Sequence, residues 1–113
     1  MVQAILFDLF ETLITESRDP PSGVSSLAPE FECAREAFRA QWKTRRPAVT
    51  AGRLSFRDAL RDVTNTLGGH ADEVTLRRIC DDRVRTKARA FAQIDPLVLT
   101  TIDHLRSRGL RLG

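Results

Sequence analysis

The stretch ILFDLFETLIT, residues 5–15, sets the reading of the whole chain. Residues 2–7 carry apolar side chains at both odd and even positions. That is the pattern of a strand covered on both faces, as in the middle of a parallel sheet, and not of a strand with one wet face. The run stops at a single carboxylate, Asp8. An acid placed where a parallel strand meets its loop lies at the carboxyl edge of the sheet, the usual crevice for ligands in open α/β folds. An Asp after a strand also serves commonly as a cap or loop residue, so its companions decide: Phe10, Glu11 and Thr12, before the chain turns apolar again at Leu13.

Downstream, ESRDPPSGVSS is rich in Pro, Ser and Gly, and residues 16–27 are expected to form a loop or linker. Four helices follow. The first is expected over residues 29–44, with Pro29 in its first turn and Phe31, Ala34, Phe38 and Trp42 on one face. RRPAVTAGRLS then reads as a connection. The second helix spans residues 56–67, opened by a capping-box-like pair, Ser55 and Asp58, striped by Phe56, Ala59, Leu60, Val63 and Leu67, and stopped by Gly68 and Gly69. Asp72 caps a third helix running to Phe91, with Leu76, Ile79, Cys80, Val84, Ala88 and Phe91 inward. Asp95 and Pro96 start a fourth that carries Val98, Leu99, Ile102 and Leu105 toward Gly109. The final LRLG reads as the beginning of a second strand.

With 113 residues, the chain has room for one modest core, and 42% hydrophobic against 29% charged residues is ordinary for a packed domain. Its 18 basic residues, all Arg except Lys43 and Lys87, exceed 15 acidic ones by a net charge of +3. That excess is small and spread along the sequence, which argues against a nucleic-acid partner. No apolar run approaches the ~18 residues a membrane span needs, and no basic segment precedes the first strand as in a secretory leader. Cys33 and Cys80 fall at apolar helical positions and read as reduced, buried thiols. A cytoplasmic protein is expected, without a membrane partner.

FDLFETL resembles the first motif of the haloacid dehalogenase (HAD) superfamily, in which a hydrophobic strand ends in an acid followed four and five residues later by Thr and Leu. Asp8, Thr12 and Leu13 match in type and spacing. Such proteins often insert a helical cap between the first strand and the next core helix, and the helices between residues 29 and 91 look like that cap. HLRSRGLRLG resembles the helix-to-strand return that follows it. The resemblance implies an α/β, Rossmann-like fold of which this chain is a mostly helical part. It would have core strand and catalytic loop in residues 1–15, linker and cap in 16–92, and a return to the core in 93–113.

For the residues, the resemblance implies a nucleophilic Asp8 whose carboxylate attacks carbon or phosphorus, with the Thr12 hydroxyl orienting the loop. In magnesium-dependent relatives the ion would take the Asp8 side chain and the main-chain carbonyl of Phe10; dehalogenase-like members need no metal. Phosphatases of the superfamily carry a second Asp at position 10 as general acid and base. Phe10 cannot do that work, and losing such a group costs ~10²–10⁴ in rate for a poor leaving group. Glu11 does not replace it, because neighbouring side chains of an extended segment point to opposite sides. An aromatic at position 10 is what haloacid dehalogenases carry, with Phe10 against the substrate, although their next residue is usually Gly and not an acid. The substrate expected of the intact protein is a small anion, a haloacid or a phosphate compound; the cap of such relatives often supplies a cation to it, for which Lys43 is the candidate among Arg39, Lys43, Arg45 and Arg46 near Trp42.

The Ser or Thr, the Lys or Arg and the later acids that stabilise charge in the superfamily do not occur before Gly113. The chain is therefore expected to be an N-terminal part, inactive alone. The alternative is a non-catalytic helical interaction module derived from such a protein. A strand with one short neighbour also leaves an open edge, through which self-association is expected.

Overall fold

The computed structural model describes residues 1–9, 12–14 and 23–113. It is mostly helical, with one short two-stranded parallel sheet. The elements are β1 (Ala4–Ile5), a 3-10 segment (Val24–Phe31), α1 (Arg35–Thr50), α2 (Phe56–Thr66), α3 (Glu73–Ala92), α4 (Pro96–Ser107) and β2 (Arg111–Leu112). They make two compact units, one of Met1–Ser17 with Arg85–Gly113 and one of Arg18–Val84.

The unit Arg18–Val84 is built on an apolar cluster of Ala28, Phe31, Phe38, Leu60, Val63, Leu76 and Ile79. Phe31 and Phe38 stack with ring centroids 5.9 Å apart. Half-buried Trp42 meets Phe56 edge to face at 5.5 Å, and the Arg83 guanidinium lies 4.3 Å above the Phe56 ring. Arg45 ties α1 to α2: its Nε donates to Asp62 at 2.6 Å, and Nη2 donates to the Thr66 hydroxyl at 3.0 Å. Arg57 and Arg61 both reach Glu73 at the start of α3, and Arg78 pairs with Glu30. These are surface pairs of modest individual worth; the apolar cluster holds the unit.

Several sequence expectations are corrected here. The first helix does not begin at Pro29. Residues 24–31 wind as 3-10 structure containing Pro29, Glu32 takes a left-handed conformation (φ 57°), and α1 starts only at Arg35. The expected linker therefore ends before Val24; its residues 16–22 lie outside the described residues. Nor does α1 stop before Pro47. It runs through Pro47 to Thr50, and the missing proline amide leaves the Lys43 carbonyl without its helical partner. On α3, Val84, Ala88 and Phe91 face outward, with Val84 at 66% and Phe91 at 47% exposure. Cys33 and Cys80 are free but half-buried.

Other expectations agree. The Ser55 hydroxyl accepts the Asp58 amide at 3.0 Å and donates to the Asp58 carboxylate at 2.7 Å, closing the start of α2. Asp95 caps α4 by accepting the Leu97 amide at 2.9 Å. Among the described residues no helix is long and apolar enough to cross a membrane.

In the other unit β1 and β2 pair in parallel, Ala4 with Arg111 and Ile5 with Leu112. The regular ladder is shorter than the strand expected over residues 2–7, and α4 packs on β2. Buried Ile14 and Ala90 belong to this unit, whereas Val2, Leu6, Leu97 and Leu99 are exposed.

Candidate functional site

The site is assembled from the end of β1. The Arg111 amide donates to the Gln3 carbonyl at 3.1 Å, the Gly113 amide to Ile5 at 3.1 Å, and the Phe7 amide to Gly113 at 2.8 Å. Backbone pairing thus extends through Phe7, and Asp8 is the first residue beyond it, at the carboxyl ends of two parallel strands. Past Asp8, the Leu13 and Ile14 amides both donate to the Leu9 carbonyl at 3.0 Å, closing a turn. Ile14 is buried, which anchors this turn.

That turn returns Thr12 to Asp8. The Thr12 hydroxyl donates to Asp8 Oδ2 at 3.1 Å, and both side chains are exposed. The other carboxylate oxygen carries no hydrogen bond among the described residues. One oxygen is thus oriented by a neutral donor while the other has no partner among the described residues, a suitable state for a nucleophile or a ligand. A carboxylate tied into an ion pair would first have to leave it. Phe10 and Glu11, between these two residues, lie outside the described residues.

Magnesium takes about six oxygen ligands, several of them commonly water. The described residues offer the Asp8 carboxylate at this site, the Phe10 carbonyl is outside them, and no group of three or more His, Cys, Asp or Glu side chains converges among them. The described residues alone do not make up a magnesium site.

Lys43 stands exposed on α1, in the helical unit. Of the cations near Trp42 picked out in the sequence, Arg45 is committed to Asp62 and Thr66, while Arg39, Lys43 and Arg46 remain exposed. Arg35, one helical turn before Arg39, belongs with them and was missed; its spacing of four from Arg39 and eight from Lys43 was the available signal. The exposed His70 and His104 are not part of any ligand cluster among the described residues.

The two thiols are shifted away from reactivity. Burial pushes Cys33 up, with Glu32 adding to it. Burial also raises Cys80, Asp81 reinforcing and Arg57 and Arg83 opposing. Neither has the depressed pKa of a nucleophilic cysteine. No protein-family model, curated protein or solved structure matches the chain.

Proposed function

We propose that this chain carries the nucleophile strand and helical cap of a HAD-like hydrolase working in the cytoplasm, with Asp8 as the attacking carboxylate. One observation carries the reading: Asp8 stands just past the last paired amide of a parallel strand, exposed, with the Thr12 hydroxyl on one oxygen. Its substrate is a small anion. With a haloacid, a carboxylate oxygen of Asp8 attacks the carbon bearing the halogen, a C–O bond forms, and halide leaves with the C–X electron pair. Water then hydrolyses the ester at the Asp8 carbonyl carbon. No proton is needed by the departing halide, which suits Phe10 in place of a general acid. With a phosphate compound the same oxygen attacks phosphorus, and only a leaving group that departs without a proton is compatible with Phe10. For that chemistry Asp8 and the Phe10 carbonyl are the magnesium ligands the resemblance suggests; the ion would neutralise charge on the phosphoryl oxygens. Full turnover also requires donors for the developing charge, which the resemblance places on later strands.

The test uses the chain as it is. Incubation with a 2-haloacid, or with an aryl phosphate with and without magnesium, is followed by mass spectrometry of the peptide containing Asp8. An ester adduct with one halide released per chain, absent from Asp8→Asn, is the expected haloacid result; an acyl phosphate would assign phosphoryl transfer. Asp8 is exposed, so Asp8→Asn should leave stability within about 0.5 kcal/mol of wild type. Adduct formation equal in Asp8→Asn overturns the nucleophile assignment.

The second reading, a non-catalytic helical module, is favoured by the helical core lying wholly within Arg18–Val84. It predicts no adduct, together with concentration-dependent association by light scattering.

A further inference from the structure

We propose that the exposed flank of α1 docks a nucleic-acid strand, holding its phosphates without reading its bases. At 3.6 residues per turn and 1.5 Å rise, Arg35, Arg39, Lys43 and Arg46 fall within about 80° of arc and are spread along about 16 Å of the helix axis. All four are exposed. None has an ion-pair or side-chain hydrogen-bond partner among the described residues, whereas Arg45, Arg57, Arg61 and Arg78 each sit on a carboxylate. The only acid on α1, Glu36, lies in the first turn at the margin of the stripe. The net charge of +3, dispersed when read along the sequence, includes four cations lined up on one helix and unpaired among the described residues.

The choice of partner follows from what accompanies the stripe. No large apolar side chain is exposed on α1. A protein interface needs an apolar or aromatic centre, and a membrane-surface helix needs an apolar face. A phosphodiester strand needs neither, since neutralising phosphates and releasing their counterions supplies the affinity. Three of the four cations are Arg, whose planar fork binds phosphate oxygens two at a time. Trp42, the nearest aromatic on the helix, is half-buried and engaged with Phe56, so it offers no platform for base stacking. Binding should therefore be independent of sequence.

The experiment measures fluorescence anisotropy of a labelled single-stranded DNA of mixed sequence against the whole chain over a salt series. Four phosphate contacts give a slope of log K against log salt of about −3 for a single strand. The double variant Arg39→Gln/Lys43→Gln should halve that slope and lower affinity at least about tenfold in low salt. Arg106→Gln/Arg108→Gln, which removes two charges from the other unit, should leave the slope unchanged. No binding at low salt, an unchanged slope in the α1 variant, or an equal loss in the α4 control overturns the proposal. Displacement by a polyglutamate peptide or by anionic vesicles at matched charge also overturns it, in favour of a protein or membrane partner.

Discussion

Replacing Gly69 by Ala should destabilise the helical unit by about 2–4 kcal/mol, although the change adds one methyl group. A Cβ at Gly69 would run into the Phe31 carbonyl oxygen and the Cys33 sulfur, and would sit 3.1 Å from Thr64 Cγ2. The sulfur can swing aside, but the carbonyl cannot move alone. It accepts the His70 amide at 3.1 Å and the Cys33 thiol at 3.3 Å, and Gly69 itself donates to the Thr64 carbonyl at 3.0 Å. Overpacking of this kind costs about 1–3 kcal/mol, and weakening one neutral hydrogen bond about 1 kcal/mol more. Gly68 is the internal control. It has φ +70° and open space around a built Cβ, so Gly68→Ala carries only the left-handed backbone penalty, about 1 kcal/mol. Urea unfolding followed by fluorescence of Trp42, the single tryptophan, reads this unit directly. With a slope near 1 kcal/mol per molar urea, the midpoint should fall by about 2–4 M for Gly69→Ala and about 1 M for Gly68→Ala. A Gly69→Ala midpoint equal to or above that of Gly68→Ala refutes the close approach.

Phe38→Ala should cost about 3–5 kcal/mol, because the ring is fully buried and stacked on Phe31, whereas Phe38→Leu should cost about 1 kcal/mol; the same urea titration checks both. Acid sensitivity is expected at Asp72, whose carboxylate is held below the usual Asp value by the Thr75 hydroxyl and by the Thr75 amide at 2.9 Å, burial opposing. A lowered folded-state pKa means the stabilisation is whole above the unfolded Asp value and is lost as pH falls through the folded one. The urea midpoint should therefore show no Asp72 contribution to its slope from pH 5 to 8 and should drop below about pH 4, less steeply in Asp72→Asn.

Legibility in the sequence followed the local chemistry. α2 was readable because Ser55 and the Gly68–Gly69 pair mark its ends with side-chain and backbone preferences of their own, and Asp95 with Pro96 did the same for α4. The start of α1 was not readable. Its N-cap is Ala34, without a capping side-chain bond, and the preceding break comes from the left-handed Glu32, a residue with no preference for that conformation. The end of α1 was misplaced in the opposite direction, since RRPAVTAGRLS read as a connection whereas the helix runs through Pro47 to Thr50. Val84 and Phe91 keep the helical period of the buried positions, yet periodicity cannot say how far along a helix a covering neighbour extends. At the site, the place of Asp8 after the apolar run was legible, while Thr12 was picked out only by the resemblance of FDLFETL to the superfamily's first motif. The hydrogen bond between them was not legible, because it depends on the turn pinned by Leu9 and Ile14.

The parallel ladder has a kinetic consequence. Ala4 and Arg111 lie near opposite ends of the chain, so pairing them closes almost the whole polypeptide into a loop before a two-residue ladder returns any stabilisation. The helical core draws only on residues inside Arg18–Val84 and closes shorter loops. It should form first, and the strands should zip last. The carboxyl edge at which Asp8 stands does not exist before that final step, so setting Asp8 at the end of two paired strands should be the slowest event in folding this chain.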